Sequence, residues 1–302
     1  MTAIIQAEKL TKFYGEHRGI VEVDLEVREG EAFGFLGPNG AGKTTMIRTL
    51  LNHIRPTSGT ASIFGIDVTV DPVAIHRRLG YLPGEFVLYD KLTGGQTIEY
   101  FANLRGGVDP AYQAELISRL EIDPTRKFKE YSKGNKQKIG LVVALQHRPD
   151  LLLLDEPTSG LDPLVQQTFF DVIREAKAEG RTVFMSSHIL SEVEKTCDRV
   201  AIIRDGQLAR VDRVEALRDM AHHQVELRFA SAPPVGEFEA LPGVSEVVAT
   251  DHTITMRVSG PITPVVHAAA RHEVIDFVSR EPSLEETFLA EYGRSSAPAE
   301  VA

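Results

Sequence analysis

Two short runs far apart in the chain constrain its fold more than anything else: GPNGAGKTT from Gly37 to Thr45 and LLLLDEP from Leu151 to Pro157. The first satisfies the pattern G-x-x-x-x-G-K-[ST] through Gly37, Gly42, Lys43 and Thr44. In that pattern glycines let backbone N–H groups curl around phosphates, the lysine reaches the β/γ oxygens and the hydroxyl ligates Mg²⁺. Pro38, Asn39, Gly40, Ala41 and Thr45 complete the loop. Its flanks agree: EAFGFL reads as a buried strand, and TTMIRTLL as a helix whose positive N-terminal end faces the phosphates. Downstream, Asp155 ends an apolar strand, where a carboxylate can hold Mg²⁺ opposite Thr44. The adjacent Glu156 is placed to polarise a water attacking the γ-phosphate.

Composition narrows the class of molecule. The chain has 302 residues, enough for two domains with separate cores, and its 42% hydrophobic and 25% charged content is ordinary for a globular protein. A net charge of −10 argues against a general nucleic-acid surface, so no direct nucleic-acid partner is expected. The single Cys197 forms no internal disulfide and the first residues carry no apolar signal core, which points to a reducing cytosol. The longest apolar stretches, Ile139 to Leu145 and Leu151 to Leu154, are too short to span a bilayer. Any membrane role must then come through partners.

Hydrophobic patterning predicts an α/β domain over 1–217. VEVDLEV (Val21 to Val27) alternates as an antiparallel edge strand with one wet face. TASIFG reads as a short strand, and PVAIHRRLG as a helix ending near Gly80. A helical insert is expected at about 84–148, with helices at TIEYFANL, AYQAELISRL and KGNKQKIGLVVALQ. LLLLD, RTVFMSS and RVAIIRDG return as apolar strands around a helix from about Pro163 to Glu179, implying parallel strands covered on both faces. Asp205-Gly206 reads as a hairpin turn. Over 218–292 the order strand, helix, strand, strand, helix, strand is that of a small ferredoxin-like α+β domain. It is followed by an amphipathic helix, SLEETFLAEY, and a disordered tail over 293–302. The adjacent His222 and His223 make no metal site by themselves.

Just before the acidic strand lies Tyr131-Ser132-Lys133-Gly134-Asn135-Lys136-Gln137, opening a helix. Here the sequence resembles the ATP-binding cassette (ABC) family, whose LSGGQ-like signature occupies this position. Ser132 and Gly134 are retained, while Tyr131, Lys133 and Asn135 replace the usual Leu, Gly and Gln. A hydroxyl, a glycine and a helix N-terminus still make a second phosphate-binding surface. Lys133 and Lys136 either strengthen it or form a solvated basic face. Ser159-Gly160-Leu161-Asp162 resembles the family's D-loop, and His188, after VFMSS, its switch histidine. Tyr14, in LTKFYG, resembles the aromatic residue that stacks on adenine, though an aromatic at a strand end is also commonly core. Where the family usually has Gln after GYLP, this chain has Gly84-Glu85; Glu85 is either an anionic substitute at the metal water or a loop acid.

The resemblance implies a P-loop ABC cassette, with a mixed sheet, a helical subdomain and an antiparallel β edge, that binds and hydrolyses ATP with Mg²⁺. It implies catalytic roles for Lys43, Glu156 and His188. Nucleotide contacts are implied for Tyr14, residues 37–45 (Gly37, Pro38, Asn39, Gly40, Ala41, Gly42, Lys43, Thr44, Thr45), Ser132, Gly134 and Asp162, and metal contacts for Thr44, Asp155 and Glu85. It further implies a second ATPase subunit in a homodimer, an integral membrane permease, and a peripheral position on the inner face of the cell membrane. The ending EPSLEETFLAEY is similar to ATPase subunits of ABC-2 type exporters, including those of the daunorubicin-resistance kind. Two alternatives stay open: a soluble ABC-type ATPase in a non-transport complex, and a ligand-sensing regulatory module.

Overall fold

The computed structural model describes residues 2–86, 91–219 and 223–280. The expected SLEETFLAEY helix, the tail and His222 lie outside the described residues. The chain forms two compact units, Met1–Asp212 and Arg213–Ala302. This division falls slightly before the change of character expected at 217.

The first unit begins with β1 (Ala3–Tyr14), β2 (His17–Arg28) and β3 (Ala32–Leu36), then α1 (Lys43–Leu50), β4 (Ser58–Ile63), β5 (Ile66–Asp67), α2 (Pro72–Arg77) and β6 (Leu79–Leu82). Three helices follow, α3 (Gly94–Leu104), α4 (Pro110–Arg119) and α5 (Lys133–Leu145). The chain then alternates through β7 (Leu151–Asp155), α6 (Pro163–Ala178), β8 (Thr182–Ser187), α7 (Leu190–Thr196), β9 (Arg199–Arg204) and β10 (Gln207–Arg213).

Two sheets result. One has the order β2-β1-β4-β5 and is antiparallel, with β2 at its edge. On β2, Ile20, Val23, Leu25 and Val27 are buried while Asp24 and Glu26 face solvent, so the alternation does select one wet face. The other sheet has the order β10-β9-β3-β8-β7-β6, and its β9-β3-β8-β7-β6 pairings are all parallel. AFGFL, LLLLD and TVFMSS are buried at every position, as strands covered on both faces require. Phe184 stacks on Phe33 with ring centroids 5.9 Å apart and packs against Phe35 at 5.5 Å, which locks the middle of this sheet.

Two elements depart from the sequence reading. The helix expected to end near Gly80 stops at Arg77, and Leu79–Leu82 is instead a strand paired in parallel with β7, Leu79 opposite Leu151. Its apolar run is four residues long and interrupted by Gly80, too short to separate from a helix end by periodicity. The long strand β1 had no counterpart in the pattern. Its register shifts between Ala7 and Leu10, beside Lys9 at φ 45°, and such a bulge breaks a period of two.

Local signals start the three-helix insert. Thr93 and Gln96 form a reciprocal capping box on α3, Asp109 caps α4 ahead of Pro110, and the Ser132 hydroxyl caps α5. In the second unit α8 (Val214–Asp219) precedes β11 (His223–Phe229), α9 (Val235–Glu239), β12 (Val244–Thr250), β13 (Thr253–Val258), α10 (Thr263–Ala269) and β14 (Val274–Arg280). The antiparallel sheet order β12-β13-β11-β14 is the split β-α-β arrangement. Val225, Leu227, Ile254 and Met256 bury one face of it with Phe238 of α9 and Val265 of α10.

Candidate functional site

In parallel sheets ligands bind beyond the carboxyl ends of the strands, because loops there can converge while the helices cover the faces. The chain places its chemistry accordingly: β3 runs into the loop before α1, β7 ends at Asp155 and Glu156, and β8 ends just before His188. These three strands are neighbours, with β8 between β3 and β7.

The loop between β3 and α1 is built on backbone contacts. Gly42 caps α1 at φ 111°, and a Cβ there would lie 2.6 Å from Gly19 O, so only glycine fits. Lys43 is 6% exposed, and its Nζ donates to Gly37 O at 2.6 Å and Pro38 O at 3.1 Å. The same ammonium pairs with Glu156 Oε1 at 3.1 Å. The Thr44 hydroxyl donates to Asp155 Oδ2 at 2.8 Å, and the Ser186 hydroxyl donates to Oδ1 at 2.6 Å. Asp155 is 1% exposed, and a carboxylate so deep needs these partners.

Glu156 has φ 49°, a left-handed conformation that costs a non-glycine residue about 1–3 kcal/mol and is characteristic of functional sites. Its N–H donates to Ser186 O at 3.2 Å. The second carboxylate oxygen, Oε2, lies 2.5 Å from His188 Nδ1. Gln137, fully buried on α5, reaches toward the carbonyls of Glu156 and Pro157 at 3.4 Å. One open cleft is thereby lined by Asn39, Gly40, Gly42, Lys43, Thr44, Thr45, Gly84, Glu85, Asp155, Glu156 and His188.

The remaining expected residues stand apart from that lining. Gly37 and Pro38 offer their carbonyls to Lys43 Nζ, and Ala41 donates its N–H to Pro38 O at 3.2 Å while its carbonyl accepts Gly206 N at 3.0 Å. Tyr14 is 44% exposed and flanks Gly19, where an added Cβ would come 3.1 Å from its ring. The Ser132 hydroxyl accepts from Asn135 N, and Gly134 packs so closely on the turn at Gly160 that a Cβ would sit 2.1 Å from Gly160 O. Asp162 caps α6, and the N–H of Val165 holds its carboxyl below the usual range. Of the signature lysines, Lys133 donates to Ser159 Oγ at 3.0 Å and lines the cleft, whereas Lys136 lies over the Phe128 ring.

Position 84 points at the acidic strand end: a Cβ there would lie 3.4 Å from Asp155 Oδ2. Exposed Glu85 lines the same cleft. Sequence reading missed Arg18 and Gly19, which line the cleft from β2, where Arg18 is anchored to Asp205 at 2.8 Å. It also missed Ser186 and Gln137. Only the paired serines of VFMSS, polar residues ending an apolar strand, hinted at the first.

Comparison with known proteins meets this geometry. A family model described as ABC transporter matches residues 20–159. The bacitracin transport ATP-binding protein BcrA of Enterococcus faecalis is 35% identical over 220 residues, covering 72% of this chain and 71% of that protein. The chain belongs to the ABC transporter ATP-binding family. A solved ATP-binding subunit of an ABC transporter superposes with TM-score 0.65 at 29% identity, over 71% of this chain and 92% of that one. A dimeric ATP-binding cassette in a post-hydrolysis state, bound to ADP and Pi, shares the fold at TM-score 0.64 and 24% identity, over 70% of this chain and 98% of that one. This ABC protein is thus an ATP-binding, ATP-hydrolysing subunit of a transporter. Among its described residues no helix is long and apolar enough to cross a membrane.

Proposed function

We propose that this ABC ATPase works as half of a nucleotide-sandwich dimer that drives export through a separate integral membrane permease, from the cytoplasmic face of the membrane. The observation that carries the reading is the convergence of Lys43, Thr44, Asp155, Glu156 and His188 at the ends of three adjacent strands. Lys43 and the loop N–H groups bind the β/γ-phosphates of ATP, and Glu156 accepts a proton from the attacking water. His188, hydrogen-bonded to Glu156, orients that base and contacts the γ-phosphate.

Thr44 and Asp155 are hard oxygen donors held together in the cleft, a pair suited to Mg²⁺, with Glu85 the nearby loop acid. When bound there, Mg²⁺ neutralises charge on the phosphate oxygens. Ser132, Gly134 and Asp162 act on the nucleotide of the opposite subunit, which accounts for their lying outside the cleft lining of their own chain. Tyr14 stacks on the adenine at the flank of Gly19. The dimeric neighbour and the transport named for BcrA support this assembly. The second unit, without phosphate-binding or metal motifs, supports subunit contacts.

Glu156→Gln tests the reading, since it keeps the shape of the side chain and removes its basicity. The variant is expected to bind ATP, accumulate as an ATP-dependent dimer by size-exclusion chromatography, and lose turnover by about a hundredfold or more. Turnover near the wild-type rate would remove Glu156 from the role of base.

A further inference from the structure

Beside the Glu156 and His188 pair lies a carboxylate to which the mechanism above gives no task. Glu192 stands in the first turn of α7 and is only 5% exposed. Its Oε1 accepts the Thr158 hydroxyl at 2.5 Å, and its Oε2 accepts the Ser187 hydroxyl at 2.6 Å. Neither partner is a random neighbour. Thr158 follows Glu156-Pro157 directly, and Ser187 immediately precedes His188.

A loop therefore closes through space. Glu156 touches His188 at 2.5 Å, while Glu192 ties together the segments on which those two residues are carried. Ser187 is held further: its hydroxyl oxygen accepts Ile189 N at 2.9 Å, and its carbonyl accepts Gly37 N at 3.2 Å. The strand end that carries His188 is thus fastened both to α7 and to the start of the phosphate loop. A carboxylate is the side chain that can receive two hydroxyl protons at once. An amide of the same shape receives one and must donate to the other.

We propose that Glu192 is a positioning residue for hydrolysis, keeping the Thr158 turn and the Ser187 strand end at a separation that holds His188 on Glu156. The proposal rests on the roles assigned above to Glu156 and His188. A displacement of about 1 Å at a reacting group costs up to about a hundredfold in rate, so a single buried bridge is enough to matter. Binding of ATP, which draws on Lys43 and the loop N–H groups, does not pass through it.

The test is a set of variants of the full chain, each checked for folding by its thermal melt, with ATP binding at equilibrium and single-turnover hydrolysis read separately. Glu192→Ala is expected to lower hydrolysis at least about tenfold while changing the ATP dissociation constant less than about threefold. In a His188→Ala background the same substitution is expected to cost less than about threefold more, because the group it positions is already gone. Should Glu192→Ala fail to fold, Thr158→Val enters the same cycle, removing the hydroxyl that Glu192 Oε1 accepts. Wild-type turnover in these variants, an equal loss in both backgrounds, or a matching loss of ATP binding overturns the proposal. Glu156→Gln runs alongside: near-wild-type turnover there sinks the assignment of the base, whereas an inactive Glu156→Gln beside a Glu192→Ala of wild-type turnover sinks only the bridge.

Discussion

Lys43 Nζ lies 3.1 Å from Glu156 Oε1, joining the cation proposed to bind phosphate directly to the carboxylate proposed as base. The pair is separated by more than a hundred residues of sequence yet sits in one cleft, with the lysine almost completely buried. A phosphate entering between these groups gains a desolvated cation, and the carboxylate stays within reach of the same phosphate.

Replacing Lys43 by Ala is therefore expected to weaken ATP binding by about a hundredfold or more, since a buried charge-assisted contact is worth about 3–5 kcal/mol when one partner is removed. Equilibrium binding of ATP measures it. Retention of tight binding would show that the loop N–H groups carry the affinity alone.

Ser132 serves its own chain as the N-cap of α5, which separates two effects that the sequence merges. Ser132→Ala should cost about 0.5–2 kcal/mol of stability from the lost cap. Ser132→Arg should in addition suppress hydrolysis by a hundredfold or more while leaving ATP binding to the isolated chain intact, because about 3–4 kcal/mol follows the loss of one transition-state donor. Equal loss of binding and hydrolysis would place Ser132 in its own subunit's site.

Gly84 and Glu85 can be told apart by Mg²⁺ titration of hydrolysis. If Glu85 substitutes for the missing glutamine, Glu85→Ala should raise the Mg²⁺ requirement by roughly threefold or more, about 0.7 kcal/mol and up. Gly84→Gln should restore it in that background, since the Cβ stands at ordinary contact distance, 3.4 Å from Asp155 Oδ2. An unchanged Mg²⁺ requirement in Glu85→Ala leaves Glu85 a loop acid.

His147 sets a pH limit on stability. Burial, reinforced by nearby Arg105, pushes its pKa from 6.5 down to about 4, while its Nε2 lies 3.1 Å from Leu79 O. Below pH 6.5 the unfolded chain takes up a proton that the folded chain refuses, so this contribution is complete above 6.5 and is lost as pH falls toward 4. The melting temperature should fall across that window, and His147→Gln should flatten the fall. An identical pH profile in the variant would assign the acid sensitivity to other groups.

Much of the site was legible because its parts are local. The phosphate loop, the acids ending LLLLD and the histidine after VFMSS each announce themselves by residue type beside a buried strand. Strand β6 and the bulged β1 did not, since four apolar residues around Gly80 and a register shift near Lys9 carry no clean period. Buried polar partners such as Gln137 and Ser186 stayed hidden because each looks, in sequence, like an unremarkable polar residue.

The amino-acid sequence by itself determined the local chemistry: a glycine-rich turn between strand and helix, acids at a strand end, and a β-α-β-β-α-β order in the second unit. Backbone conformation and side-chain alternation act over a few residues, so pattern alone suffices for them. Only the tertiary structure decided that Lys43 meets Glu156, that Thr44 meets Asp155, and that Glu192 bridges Thr158 and Ser187. Those contacts depend on β8 lying between β3 and β7 in the parallel sheet. Strand order arises from packing between distant segments, and such pairing leaves no periodic mark on either segment.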